Sequence, residues 1–230
     1  MRNRTAVLTS SIGSKVIMAL TGIGLVLFVI VHMAGNLQMF VGRDAMNAYG
    51  VTLRKVPLLL WLVRLGLIAI AIVHVVMSLR LKLQNRAARP VPYVSKNTVS
   101  ATLASRTMVV TGLIILTFAV YHLLHFTFGM TDPKNFHLTD HQGRHDVYNM
   151  VVYGFQNAFV SGFYILAVVL LFSHLSHGVS SFFQSLGWNH PRWNAFINKF
   201  GAVVAWLVCL GFVAIPIAVL LGLLKPVGDM

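Results

Sequence analysis

The sequence predicts an all-α membrane protein with five transmembrane helices. Of its 230 residues, 57% are apolar and only 10% are charged, whereas soluble domains carry charges on about a quarter of their residues. Five apolar stretches are each long enough to cross a bilayer, which takes about 20 residues. Because lipid offers no partners for backbone N–H and C=O groups, each stretch is predicted to be helical.

These stretches form one predicted transmembrane domain, residues 1–230, without internal repeats. The first is too long for a signal-peptide core and lacks a clear cleavage site. The fifth contains no histidine and is expected to pack outside the other four as a peripheral helix. The predicted spans are 14–41, 57–80, 107–130, 156–183 and 200–224.

Lysine and arginine are distributed unequally between the two sides. With the N-terminus inside, the inner segments hold 11 of these residues and the outer segments hold 6, while Arg64 lies within the second span. The positive-inside rule therefore predicts a multi-pass protein with its N-terminus in the cytoplasm. The basic residues flank apolar stretches, so the excess of positive charge indicates a membrane and not nucleic acid.

The composition excludes several kinds of site. The chain contains no glutamate and a single cysteine, Cys209. A glutamate-based di-iron centre, an internal disulfide, a multi-cysteine zinc site and a four-cysteine iron–sulfur cluster are therefore ruled out.

Histidines at membrane depth are the main functional signal. Ionisable groups in a bilayer are costly, and each of the first four spans contains at least one histidine. A hydrogen bond between helices would explain a single case, but the recurrence favours a shared ligand. The six are His32, His74, His122, His125, His174 and His177.

Four of these histidines fall into two layers. At 1.5 Å per residue, His32 and His122 lie toward the outer side, whereas His74 and His174 lie toward the inner side, about 17 Å away. Two facing imidazoles are what a bis-histidine haem requires. The chain has no Cys-x-x-Cys-His motif, so the pattern predicts two non-covalent b haems, with each histidine ligating haem iron.

The third and fourth spans each offer a second histidine at i+3, His125 and His177. Depth alone does not separate the members of each pair. The alternative for the second histidine is a hydrogen bond to a haem propionate or a backbone carbonyl. Ser173 or Ser176 could hydrogen-bond the second ring nitrogen of the ligand in the fourth span.

Motifs around these histidines resemble those of a known family, the membrane cytochrome b subunit of succinate dehydrogenases and fumarate reductases, in its two-haem, five-helix form. The resemblance covers about residues 14–224. It is carried by residues 28–32, 72–74, 111–122 and 162–178.

The resemblance implies which histidines are ligands. Thr-Gly followed by an aromatic-His pair selects His122, and Gly-Phe-Tyr-Ile followed by a histidine four residues before a glycine selects His174. It further implies that His74 and His174 hold the haem near the dehydrogenase, and that His32 and His122 hold the distal one.

The family transfers electrons between succinate and a membrane quinone, with menaquinone common among two-haem members. The resemblance therefore implies a flavoprotein subunit and an iron–sulfur subunit as cytoplasmic partners. This chain would be a non-catalytic anchor in a bacterial-type cytoplasmic membrane, linked to the tricarboxylic acid cycle. Phe172 occupies a position where some members carry a glutamate for proton transfer, so that route is not expected here.

Several polar residues are candidates for contacts to propionates or to quinone, each with a simpler alternative. Basic residues near the inner ends also satisfy the positive-inside rule, and an isolated arginine can extend its charged end to the interface. Besides His125 and His177, the candidates are Ser14, Lys15, Arg64, Arg80 and Arg106.

Three other functions compete with this one. A haem-free, histidine-lined proton or metal transporter would lack a Soret band. A histidine-box oxygenase needs its histidines at one membrane face. A haem b subunit of another quinone-linked dehydrogenase, acting on hydrogen or formate, fits the motif spacing less well.

Overall fold

The computed structural model describes residues 10–88, 102–188 and 190–228. Arg2, Arg4, Arg89 and Lys96, which contribute to the predicted orientation, lie outside these ranges. Five helices are long and apolar enough to cross a membrane, so the predicted all-α membrane class is confirmed. The helices are α1 (Ser11–Asn36), α2 (Arg43–Arg54), α3 (Pro57–Ala87), α4 (Leu103–His122), α5 (Pro133–Phe136), α6 (Val147–Gln156), α7 (Ala158–Ser185) and α8 (Pro191–Leu220).

Two spans continue in a different helical form at their outer ends. A 3-10 turn, Leu37–Phe40, extends α1. A π-helical turn, Leu123–Thr127, extends α4. We call the end of the bundle that contains Ser11 the inner end, following the predicted orientation.

Helix ends follow capping groups more than hydropathy. The fifth span begins at Pro191, nine residues before the predicted apolar stretch, and the His190 side chain accepts a hydrogen bond from the Arg192 amide there. Proline suits the first position of a helix because its missing N–H needs no partner. Similarly, α3 continues to Ala87, beyond the end of its apolar stretch.

The four histidine-bearing helices form a bundle that is open on one side. α1 packs against α3 and α7, and α4 packs against α7, whereas α3 and α4 barely touch. The bundle is therefore packed along three helix pairs, with few contacts between α3 and α4.

The fifth span, α8, lies outside these four helices but is less separate than expected. It packs most extensively against α7 and also contacts α1. Gly211 packs under the Met33 side chain, and the Phe212 ring centroid lies 5.8 Å from that of His32. The expected peripheral helix thus supports one of the candidate ligands.

The two outer connections fold into a cap with its own core. The helices α2 and α6 were not predicted, and they pack together with residues 129–146 and the chain end 221–228. Met39, Met46 and Val152 are among its buried residues. The helix α2 is amphipathic, but it is too short and too polar to be predicted as a membrane span.

Candidate cofactor-binding site

The two outer histidines face each other across the bundle. His32 lies in the last turns of α1, and His122 is the last α-helical residue of α4. Their ring centroids are 5.8 Å apart, with the ring planes at 79°. Two metal–nitrogen bonds of about 2 Å and a ring radius of about 1.1 Å place the centroids of a bis-histidine centre about 6 Å apart. The distance between the two ring centroids is close to this value.

Each outer histidine has a polar neighbour. The Asn36 amide nitrogen lies 3.4 Å from both ring nitrogens of His32 and donates to its carbonyl at 2.7 Å. The Nδ1 atom of His122 lies 3.4 Å from the Tyr164 hydroxyl. Phe28 stacks on His32 at 5.3 Å, which restrains that ring from the side.

The inner histidine of α3 is held by α1. His74 Nδ1 lies 3.2 Å from the Thr21 hydroxyl and 3.2 Å from the Met18 carbonyl oxygen. Since a carbonyl can only accept, the hydrogen bond to Met18 requires the His74 proton to be on Nδ1. The Nε2 lone pair is then available for a metal. A Cβ atom on Gly22 would come within 3.3 Å of the ring, so this glycine lets His74 lie against α1.

The inner histidine of α7 is held by α4 in the same way. His174 Nδ1 lies 3.1 Å from the Thr111 hydroxyl. A Cβ atom on Gly112 would come within 3.2 Å of the His174 ring. Of the expected partners, Ser176 instead donates its hydroxyl to the backbone carbonyl of Ser173 along α7.

The sequence analysis missed these threonines, although a signal was present. Helices α1 and α4 share the pattern Met-x-x-Thr-Gly-x5-Phe-x3-His, and equivalent residues differ by 90 positions. The expectation of no internal repeat overlooked this one. In both helices the Thr-Gly pair receives an inner histidine, and the final histidine belongs to the outer pair.

The repeat also measures the distance between the two layers. In each helix the threonine that contacts an inner histidine precedes the outer histidine by 11 residues, which corresponds to about 16 Å along a helix. This value comes from the contacts of Thr21 and Thr111 and agrees with the offset predicted from span lengths.

The second histidine of each pair also lies beside a side-chain hydroxyl. His125 is buried in the π-helical turn, with Nδ1 3.1 Å from the Tyr164 hydroxyl. His177 is half-buried and its Nε2 lies 3.1 Å from Ser181 Oγ, one turn along α7. The structure thus offers side-chain hydroxyls where a propionate or a carbonyl was expected.

The remaining candidates at the inner end differ in exposure. Ser14 is fully buried, and its hydroxyl has no hydrogen-bond partner within the described ranges. Arg80 is half-buried, whereas Lys15 and Arg106 are exposed. Of these side chains, the Ser14 hydroxyl is a buried donor without a partner in the described part of the chain.

Two further predicted positions lie in apolar or interfacial surroundings. Arg64 is exposed on α3, and its guanidinium lies 5.3 Å from the ring centroid of Trp61. Phe172, at the position where a glutamate was considered, packs against Trp206 at 4.6 Å. Phe172 is therefore part of the apolar contact between α7 and α8.

A pair of histidines could hold a haem, which needs only two ligands from the protein. Within the described ranges, no group of three or more histidine, cysteine or acidic side chains could hold a metal ion. The histidines stand instead in pairs, and haem supplies the other four iron ligands itself.

The outer cap carries a network of buried charge beside the outer layer. Asp146 accepts hydrogen bonds from Arg43 at 2.8 Å, Asn47 at 3.0 Å and Asn149 at 2.7 Å. Burial acts to raise the pKa of Asp146, but these donors outweigh it and hold the pKa below its ordinary value. Burial also acts to raise the pKa of Asp140, but hydrogen bonds from Asn47 and Arg144 outweigh it and lower the pKa.

The chain was compared with protein-family models, with curated proteins and with solved structures, and none of these matches it. The resemblance described above therefore rests on the sequence motifs, and the geometry of the histidines stands independently of it.

Proposed function

We propose that this chain is the membrane-anchor cytochrome b subunit of a succinate:quinone oxidoreductase, either a succinate dehydrogenase or a fumarate reductase. One observation carries the proposal: four membrane-embedded histidines lie in two layers about 16 Å apart, and the inner two have Nδ1 bound to equivalent threonines. Such partners orient an imidazole and leave Nε2 for a metal.

In this proposal His32 and His122 hold the outer haem, and His74 and His174 hold the inner one. A bound b haem supplies reversible one-electron transfer. The protein supplies the axial ligands, fixes their tautomers and excludes water with its apolar helices. In the inner layer, the hydroxyls of Thr21 and Thr111 would orient His74 and His174 through their Nδ1 atoms.

The electron donor or acceptor on the inner side would be a separate iron–sulfur subunit, joined to a flavoprotein subunit. This division of labour is supported by the composition, because one cysteine cannot hold an iron–sulfur cluster. The other electron partner would be a membrane quinone, menaquinone in the simplest case. The outer candidates for its site are Arg64, His125 and the 131–155 loop, and the inner ones are Ser11, Ser14 and Lys15.

The five spans support a multi-pass membrane protein. A bacterial-type cytoplasmic membrane, with the N-terminus in the cytoplasm, completes the proposal. The excess of basic residues on the inner side supports this orientation.

The haem content is the first test. The chain purified in detergent should give two haems per chain in a pyridine haemochrome assay, and low-spin b-type bands in dithionite-reduced difference spectra. A chain without a Soret band would overturn the proposal and favour the histidine-lined transporter.

The electron donor is the second test. In membranes that contain the partner subunits, succinate should reduce the haems, and a quinone should reoxidise them. Reduction by hydrogen or formate, with none by succinate, would assign the chain to a different quinone-linked dehydrogenase.

A further inference from the structure

Tyr164 connects two histidines at the outer end of the bundle. Its hydroxyl lies 3.4 Å from Nδ1 of His122 and 3.1 Å from Nδ1 of His125. Tyr164 is 6% exposed and His125 is 4% exposed. Because water has little access, these hydrogen bonds have no solvent competitor.

The local backbone explains how both histidines reach one hydroxyl. The turn after His122 is π-helical, and the Phe128 amide donates to the Leu123 carbonyl five residues earlier at 2.9 Å. Such a turn changes the direction in which the next side chains leave the helix, and π-turns are frequent at functional sites. It brings His125 against Gly154, where a Cβ atom would lie 3.2 Å from its ring.

The order of the protons follows if His122 binds iron through Nε2, because the buried Tyr164 hydroxyl has only these two side-chain partners in the described ranges and its own proton needs an acceptor. A neutral imidazole ligated at Nε2 carries its proton on Nδ1, so His122 donates to the Tyr164 oxygen. The single proton of Tyr164 is then donated to Nδ1 of His125. His125 must therefore carry its own proton on Nε2, on the side of Gly154.

We infer that Tyr164 is a positioning residue for the outer axial ligand His122, and that His125 strengthens its action as the next member of the hydrogen-bonded chain. The inference rests on the proposed haem-binding function. A hydrogen bond from Nδ1–H makes the ligand more basic, which stabilises the oxidised iron. Tyr164 thereby holds the midpoint potential of the outer haem below the value it would have without this hydroxyl.

The test is Tyr164→Phe, which removes the hydroxyl and keeps the ring. Surrounding aromatic rings, including Phe118 and Phe155 at 5.0 Å each, hold that ring by packing alone. We expect both haems to remain, the midpoint potential of the outer haem to rise, and the inner haem to keep its potential. A spectroelectrochemical titration of the purified chain measures both values.

Tyr121→Phe is the matched control. Its ring packs 6.0 Å from that of Tyr164, but within the described ranges its hydroxyl makes no side-chain hydrogen bond. This variant should leave both potentials unchanged. An equal rise in the two variants would assign the effect to polarity in general and overturn the inference.

A double-mutant cycle tests whether His125 acts on the outer haem through Tyr164. His125→Leu should raise the outer potential by less than Tyr164→Phe does, and it should have no further effect in the Tyr164→Phe background. Additive shifts, an unchanged potential in Tyr164→Phe, or loss of a haem in His125→Leu would each overturn the inference. A wild-type chain without haem would instead refute the proposed function, so the two failures are distinguishable.

Discussion

The Nδ1 atom of His74 lies 3.2 Å from the hydroxyl of Thr21 on the preceding span. His174 and Thr111 repeat this relationship at 3.1 Å. Each inner histidine thus contacts a Thr-Gly pair on a neighbouring helix, and the contact between α1 and α3 is repeated between α4 and α7. The arrangement orients both imidazoles without any charged residue in the membrane interior.

Replacing Gly112 by valine should remove the inner haem. A Cβ atom at this position would lie 3.2 Å from the His174 ring, and the additional methyl groups of valine would displace the imidazole. We expect the haem content to fall from two per chain to one. Gly162→Val, on α7 with nothing within 4 Å of its Cβ, should retain two haems in the same haemochrome assay.

Replacing His122 by leucine should remove the outer haem alone. The inner histidines have separate partners on α1 and α4, so their haem should stay low-spin and reducible by succinate through the partner subunits. His177→Leu serves as the control, because its ring contacts Ser181 on its own helix, and it should keep both haems. Low-temperature difference spectra distinguish the two haems, and loss of the succinate-reducible haem in His122→Leu would contradict the layer assignment.

Replacing Asp146 by asparagine should destabilise the outer cap. The Asp146 side chain is 1% exposed and that of its partner Arg43 is 9% exposed, and breaking a buried ion pair costs about 3 kcal/mol. Asp44→Asn is the control, since Asp44 is 75% exposed in its pair with Arg144, and such a pair contributes less than about 1 kcal/mol. Denaturant unfolding in detergent measures both variants, and equal losses would show that burial does not decide the difference.

Acid should weaken the cap in a defined pH range. The pKa values of Asp140 and Asp146 lie below the ordinary 3.8 in the folded protein. Their stabilisation is therefore complete above about pH 5 and is lost as the pH falls through the lowered folded values.

The half-buried His145 affects the stability of the cap at higher pH than the two aspartates do. Burial lowers its pKa below 6.5, so its contribution to the stability of the cap is present above that pH and is lost on acidification.

Thermal midpoints measured between pH 7 and pH 3 should fall more steeply below pH 5 in the wild type than in Asp146→Asn. Parallel curves would contradict the role of Asp146.

The positions of the five spans, and of the histidines along them, follow from the amino-acid sequence alone. A bilayer requires long apolar helices whose backbone groups are satisfied internally, and a helix has a constant rise per residue. Both rules act locally along the chain. The predicted 17 Å between layers therefore agrees with the 16 Å obtained from the contacts of Thr21 and Thr111.

The side chains that orient the histidines, and the cap that covers the outer layer, come from contacts between distant segments of the folded chain. Thr21 and His74 are 53 residues apart, and Arg43 and Asp146 are 103 residues apart, so no local pattern joins them. The π-helical turn that directs His125 toward Tyr164 is likewise set by packing against α6 and α7. Hydrogen bonds between distant segments depend on how helices rotate and slide against each other, and hydropathy along one helix carries no information about either.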